Sequence, residues 1–309
     1  PRYNPAPVIV REELAPIAQR VADSLHTAGA QVVIMLSHLG IYLDRIVASG
    51  THGIDFIVGG HDHYLFEQPV MVANALGKNI PVFQAGEFYK NIGELHFTVD
   101  NGAVTMNDYQ ILNVDSSVAP EPTIQAIIEN LKAGIVAKYG DLYHTVVGTA
   151  THDIVKTFDR SSPLRDTPLG NLVTDAFRSK TGTHIAITAL GLISEKLYAG
   201  PIVGADVFRS MSYGYDPETG LGLHIAKLKI KGSELLKGLE FGLSQLESGD
   251  DIFLQVSGMT YKYNSEKKPG HRVQKGSIKI NGHKFKSHAT YSATVSEGVA
   301  LLLGKVGVV

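Results

Sequence analysis

The chain has 309 residues, enough for two domains of ordinary size, and it is 44% hydrophobic and 19% charged, as globular proteins are. Its formal net charge is −2, so overall charge gives no reason to expect a nucleic acid polymer or an anionic membrane as a partner. It contains no cysteine, which excludes disulfides and thiol chemistry, and no apolar run long enough to cross a bilayer.

The N-terminus reads PRYNPAPVIV, without an initiator methionine. It has neither the charged region nor the apolar region of a signal peptide. We therefore expect that the chain has lost a segment upstream, by processing or by truncation.

Helix and strand signals alternate through the first 117 residues. Apolar residues at helical spacing predict a first helix that ends near Gly29. A continuous apolar run at 32–36 and a largely apolar segment at 54–58 predict buried strands of a layered α/β sheet, with a short helix over 42–49 between them.

Three histidines directly follow these two strands. His38 comes after the first, while His61 and His63 come after the second in the sequence Gly-Gly-His-Asp-His. Ligands of open α/β sheets bind at the carboxyl ends of the strands. Residues two apart in an extended segment face the same side, so His61 and His63 can aim into one site while Asp62 points away. Imidazole is a common ligand of Zn, Mn, Fe and Co, so the sequence predicts a metal site; the alternative is loop histidines with ordinary hydrogen bonds.

Longer segments of the sequence resemble known families. The segments MLSHLG, IDFIVGGHDHY and IPVFQAGEFYKNIGEL resemble the second half of a calcineurin-like metallophosphoesterase domain. The segments RDTPLGNLVTDAFRSKTGTHIAITALG and LQVSGMTYKYNSEKKPGHRVQKGSIKING resemble the C-terminal domain of the 5'-nucleotidase family. The resemblance implies part of a layered α/β/β/α sandwich in residues 1–117, a linker helix in 118–141 and an α+β substrate-binding domain in 142–309.

The same resemblance implies a hydrolase with two divalent metal ions, which can be Zn, Mn, Fe or Co. It assigns His38 and His61 to one ion and His63 to the other. The remaining ligands of the family lie in an Asp-x-His motif, a bridging Asp and an Asn-His-Asp/Glu motif, none of which occurs in this sequence. No catalytic residue is therefore assigned. We expect weak or no metal binding and little hydrolysis by this chain alone, and an N-terminal segment that supplies the missing groups is an expected partner.

A helix is predicted from Thr167 to Gly182, with Leu172, Val173, Ala176 and Phe177 as its buried stripe. By resemblance, Arg165 just before this helix contacts substrate or phosphate through its planar fork of donors. The alternative is a surface ion pair with Asp159 or Asp166.

The nucleotide pocket departs from the family pattern. Tyr213 can still stack on a base, since any aromatic face serves. Ala189 and Ser194, however, stand where the family has Asn and Arg, and the C-terminal tail lacks the second stacking ring. We therefore expect a nucleoside monophosphate to be a poor substrate.

Three functions follow from these patterns. The first is a 5'-nucleotidase-like hydrolase of nucleotides or related phosphate esters, incomplete in this chain and inactive alone. The second is a thiosulfohydrolase-like hydrolase of a non-nucleotide anion ester. The third is a non-catalytic binding protein on the same fold. The expected partner is a small-molecule phosphate ester and not a nucleic acid polymer, and the resemblance implies a periplasmic or extracellular location.

Overall fold

A computed structural model describes residues 13–159, 161–213, 222, 224–247, 249–305 and 307 of the chain. The chain divides into two compact units, Pro1–Ile127 and Ile128–Val309. It mixes helices with several small sheets. No described helix is both long enough and apolar enough to span a bilayer.

The described residues 13–113 of the first unit form two helices, a four-stranded sheet and a long hairpin. Its elements are α1 (Leu14–Thr27), β1 (Ile34–Leu36), α2 (Ile41–Gly50), β2 (Phe56–Val58), β3 (Val70–Ala73), β4 (Asn79–Phe83), β5 (Asn91–Asp100) and β6 (Ala103–Asn113). The sheet order is β1-β2-β4-β3, with β1, β2 and β4 parallel and β3 antiparallel to β4. The second sheet is the hairpin β5–β6.

The two faces of the first sheet are covered differently. Ile57 of β2 packs in one cluster with Val47 and Ala48 of α2, whereas the adjacent Phe56 packs against the hairpin, its ring centroid 5.1 Å from that of Phe97. Neighbouring residues of a strand point to opposite faces, so helices cover one face and the hairpin covers the other. The α/β/β/α sandwich itself stays a prediction.

The first predicted strand is less buried than its apolar sequence suggested. Ile34 is 49% exposed and Leu36 is 85% exposed, although Val33 just before them is buried. The physical reason is position, because among the described residues β1 pairs only with β2 and forms the sheet edge. The apolar run predicted the strand correctly but not its exposure.

The helix α3 (Pro122–Tyr139) contains the boundary between the two units and buries none of its residues. The Glu121 carboxylate caps its start by accepting a hydrogen bond of 2.7 Å from the Ile124 amide. The division of the chain into domains at 118 and 142 stays a prediction.

The second unit is an α+β assembly. Its elements are β7 (Val146–Ala150), α4 (Pro168–Thr181), β8 (Ile185–Ala189), β9 (Gly200–Val203), α5 (Gly204–Ser210), β10 (Ile225–Lys231), α6 (Gly232–Gly242), β11 (Leu254–Ser257), β12 (Met259–Thr260), β13 (Lys279–Ile280), β14 (His283–Lys284), β15 (Thr290–Ser296) and α7 (Glu297–Lys305). Its sheets have the orders β10-β15-β8-β11, β12-β13-β14 and β7-β9.

The helix α4 lies between the two residues that the sequence predicted as its ends. The Thr167 hydroxyl accepts a hydrogen bond of 2.9 Å from the Gly170 amide, and Gly182 ends the helix in the left-handed conformation. The predicted stripe was partly wrong, because Leu172 is 45% exposed and Ala176 is exposed. The buried face consists instead of Leu169, Gly170, Val173 and Thr174.

Candidate metal and substrate site

The candidate metal site lies at one edge of the first sheet. The strands β1, β2 and β4 are parallel neighbours, so their carboxyl ends meet at the same edge. His38 follows β1, His61 and His63 follow β2, and Glu87 follows β4. The topology therefore gathers three polar loops at the position where ligands of such sheets bind.

Two of the predicted ligands are in contact. The ring centroids of His38 and His61 are 5.4 Å apart, with the rings inclined at 65°. Gly60 permits this approach, because a Cβ atom at that position would lie 3.1 Å from Nδ1 of His38. The fold thus brings together imidazoles that are separated by more than twenty residues of sequence.

The loop that carries His61 and His63 is not extended. The φ angles of the two histidines are 81° and 61°, both in the left-handed region that non-glycine residues seldom adopt. The prediction of an extended segment at His61 and His63 is therefore wrong, and the convergence of their two rings on one site stays a prediction. Such strained conformations cluster at functional sites, where the surrounding structure holds them.

His63 is oriented by a carboxylate that the sequence reasoning missed. Its Nδ1 lies 2.7 Å from Oε2 of Glu87, and Lys90 Nζ lies 3.4 Å from the other carboxylate oxygen. A carboxylate on Nδ1 favours the tautomer that keeps the Nε2 lone pair, which is the usual arrangement for a metal-ligating histidine. Glu87 follows β4, so the rule that ligands bind at the carboxyl ends of strands, which selected the three histidines, could also have selected Glu87.

Asp62 joins the loop that carries His61 and His63 to the helix α2. Its Oδ2 accepts a hydrogen bond of 2.5 Å from the amide of Ile41, the first residue of α2, and one of 3.2 Å from Nε2 of Gln84. An acceptor at this position satisfies one of the amides that a helix leaves unpaired at its start. Asp62 thus links the ligand-bearing loop to two neighbouring elements.

A buried acid lies beneath the loop. Asp44 is completely buried, and its Oδ1 accepts a hydrogen bond of 2.5 Å from the Ser37 hydroxyl. Burial raises the pKa of Asp44, while the Ser37 hydrogen bond partly offsets this and the charge of Asp62 adds to it. A Cβ atom at Gly59 would lie 2.6 Å from Oδ2 of Asp44, so the loop requires glycine there.

The described residues do not complete a metal centre. Within them, no group of three or more His, Cys, Asp or Glu side chains is placed to hold a metal ion. His38 and His61 provide two imidazoles, and His63 provides a third in the arrangement with Glu87. The assignment of His38, His61 and His63 as ligands of two divalent ions stays a prediction.

In the second unit, Arg165 is engaged with its own loop. Its Nη1 donates to the carbonyl oxygens of Asp159 and Leu164, each at 3.2 Å, and to that of Ser162. Its guanidinium carbon lies 5.2 Å from the centroid of the Phe158 ring. These contacts fix the guanidinium in place, and its predicted role toward substrate stays untested.

The other predicted substrate residues differ in accessibility. Tyr213 is 40% exposed. Ala189, at the end of β8, and Ser194 are both buried, and the Ser194 amide donates to the carbonyl oxygen of Ser210 at 2.9 Å. Neither position offers a cationic side chain for an anion.

Comparison with known proteins identifies the family. Residues 146–307 match the family model described as 5'-nucleotidase, C-terminal domain. The chain is 30% identical to the trifunctional nucleotide phosphoesterase protein YfkN of Bacillus subtilis over 82% of this chain and 17% of that protein. It is 26% identical to the human 5'-nucleotidase over 88% of this chain and 50% of that protein.

A solved structure shows the same fold. The 5'-nucleotidase precursor from Thermus thermophilus matches with a TM-score of 0.81 and 29% identity, over 96% of this chain and 60% of that one. Because the family model covers more than half of the sequence, the chain belongs to the 5'-nucleotidase family. It spans half the length of the human relative and less than a fifth of YfkN.

Proposed function

We propose that the chain is part of a metal-dependent phosphoester hydrolase that acts on nucleotides or related phosphate esters. The observation that carries the proposal is the contact between His38 and His61 at the strand ends, beside a His63 whose ring is oriented by Glu87. Membership of a family whose named relatives are nucleotidases and nucleotide phosphoesterases supports it.

In this proposal His38 and His61 bind one divalent ion and His63 binds a second, the ions being Zn, Mn, Fe or Co. Other groups outside the described residues complete the coordination, because the described residues form no cluster of three ligands. When bound, such a metal pair supplies a hydroxide at neutral pH and stabilises the charge of a phosphoryl group. The part of this chain is to hold three imidazoles in fixed orientations, through Gly60, Glu87 and the loop that Asp62 fastens.

The substrate is proposed to contact Arg165 with its anionic group and Tyr213 with its apolar part. One observation favours the second candidate, a thiosulfohydrolase-like reaction on a non-nucleotide anion ester. Ala189 and Ser194 are buried and uncharged, so they offer no anchor for a nucleotide phosphate. We therefore propose that AMP is a poor substrate, and we propose a periplasmic or extracellular location for the protein.

The test uses the product of the whole reading frame and its His61→Ala variant. Phosphate release is measured from AMP and from an aryl phosphate, with Mn or Zn added. Removing a group that only orients a metal ligand lowers activity by up to about a hundredfold. Because His61 is proposed to be a ligand itself, loss of its imidazole should lower the rate at least about a hundredfold. The matched control is His96→Ala, on the hairpin, where the side chain is more than half exposed.

Each outcome separates the candidates. Metal-dependent hydrolysis that His61→Ala abolishes and His96→Ala preserves supports the hydrolase. Efficient, base-selective hydrolysis of AMP contradicts the proposed substrate preference while leaving the hydrolase standing. Absence of hydrolysis of either ester at every metal concentration contradicts the phosphoester hydrolase, and it is the result expected both of a thiosulfohydrolase-like enzyme and of a non-catalytic binding protein.

A further inference from the structure

The segment 262–288 is strongly basic in a chain whose net charge is −2. It contains seven lysines and one arginine against a single acidic residue, Glu266. The lysines are Lys262, Lys267, Lys268, Lys275, Lys279, Lys284 and Lys286. All seven are exposed, and none of them has an ion-pair partner in the part of the chain that the structure describes.

Three of these lysines converge on one surface cleft. The cleft has a volume of about 410 Å³, and its lining includes Lys275, Lys284, Phe285, Lys286 and His288. No carboxylate lines it. The cleft is open to solvent, and the charge of its lining favours anions.

The hairpin that carries the cleft also places two lysines directly opposite each other. Lys279 of β13 pairs in register with Lys284 of β14. Like charges at such positions repel, which destabilises the pair. A bound anion relieves this repulsion at Lys284, the member of the pair that lines the cleft, so the pairing adds to the case for an anionic ligand.

The backbone of this region is held rigidly. Ile278, Ile280 and Phe285 are 1%, 5% and 8% exposed and belong to the core of the second unit. The Ser233 amide at the start of α6 donates to the carbonyl oxygen of Ser287 at 2.8 Å. The lysines thus project from an ordered frame, which lowers the entropic cost of gathering them around a ligand.

The residues around the cleft indicate which kinds of ligand it can bind. Among the described residues from 226 to 300, no large apolar side chain is exposed. The region therefore lacks anchors for a bilayer, for an apolar protein partner or for stacked bases. Lysine ammonium groups are compact point charges that commonly bind phosphate.

We propose that this cleft binds a compact anion of two or three linked phosphates, either free or carried by a nucleotide. The site is formed by Lys275, Lys284, Lys286 and His288, and it shares no residue with the candidate metal site or with the predicted substrate residues Arg165 and Tyr213. The proposal does not depend on the proposed function.

The test is titration calorimetry with tripolyphosphate in EDTA, so that metal-mediated binding is excluded. The wild-type chain should bind one equivalent, and Lys284→Gln/Lys286→Gln should weaken binding at least about tenfold, since each variant position removes one charge-assisted hydrogen bond. The matched control is Lys267→Gln/Lys268→Gln, which removes the same charge from the same basic segment but not from the cleft. This control should change the affinity less than about threefold, and circular dichroism checks the folding of both variants.

Parallel titrations with ATP separate the two sources of the phosphate chain. Equal affinity for ATP and tripolyphosphate supports a free phosphate chain, and tighter binding of ATP supports a nucleotide. Equal losses in the two double variants would overturn the proposal, because they indicate a diffuse positive field. Absence of tripolyphosphate binding, binding only to duplex DNA or to phosphatidylserine vesicles, or a comparable loss in His61→Ala would also overturn it.

Discussion

Asp62 should stabilise the candidate site by joining the ligand loop to the helix α2. The substitution Asp62→Ala removes the acceptor for the Ile41 amide, and loss of a helix-capping acceptor costs about 1 kcal/mol. The same substitution leaves the side-chain amide of Gln84 without the Asp62 acceptor. Gln84 is 2% exposed, and an unpaired buried donor costs about 1–3 kcal/mol. We expect a total loss of about 2–4 kcal/mol in the local stability of the loop and of the start of α2.

Native-state hydrogen exchange measures this effect at the amides concerned. A loss of about 2–4 kcal/mol corresponds to exchange that is faster by about 30-fold to about 1000-fold, at about 1.4 kcal/mol for each factor of ten. The Ile41 amide and the amides of the first turn of α2 should respond most strongly. Asp62→Asn, which keeps one carbonyl oxygen, should lose less.

The control is Asp108→Ala, which removes an exposed carboxylate from β6 in the same unit. If the α2 amides of Asp62→Ala exchange at the wild-type rate, the carboxylate does not hold the loop and the reasoning fails. If the control variant shows the same acceleration, the effect is general to the unit and not specific to Asp62.

Three further changes test other parts of the account. Glu87→Gln should weaken zinc binding by the whole gene product about 10-fold to 100-fold, because it removes the carboxylate that orients the His63 imidazole. Competition with a chelating dye measures the affinity, and an unchanged affinity would count against this role of Glu87. Gly59→Ala should destabilise the first unit by about 1–3 kcal/mol in urea unfolding because its Cβ has no room, whereas Gly134→Ala, with no atom nearby in α3, should be neutral or slightly stabilising. The Gly53 carbonyl raises the pKa of His26 above its ordinary value of 6.5, so the protonated ring stabilises the fold below that pH and the contribution is lost as pH rises through the raised pKa. The stability advantage of the wild type over His26→Gln, measured by urea unfolding, should therefore shrink as the pH rises above 6.5 and through the raised pKa, and an advantage that grows with pH would contradict the assignment.

The sequence alone could predict that the loops after β1 and β2 meet at one edge of the sheet. The largely apolar segment at 54–58 predicted β2, and the rule that ligands bind at strand ends selected His38 and His61, whose rings are in contact. Glu87 follows the same rule after β4, but a single glutamate in a loop carries no spacing pattern that distinguishes it. The left-handed conformation of His61 and His63 could not be predicted, because it depends on contacts that the loop makes after folding.

Burial was predicted less well than secondary structure. The apolar residues Val21 and Leu25 of α1 are 54% and 42% exposed, whereas the small residue Ala22 is 1% exposed. The helix packs closely through small side chains, as the approach of Ala15 to Gly50 of α2 shows. Hydrophobic periodicity gives most weight to large residues and so does not detect a packing face made of alanine and glycine.

The most direct test of the central claim is an anomalous difference map from crystals of the whole gene product grown with zinc. The account predicts two zinc peaks, one about 2.0–2.1 Å from imidazole nitrogens of His38 and His61 and the other at the same distance from a nitrogen of His63. Zinc peaks elsewhere in the protein, with these three imidazoles unligated, would contradict the assignment of this sheet edge as the metal centre.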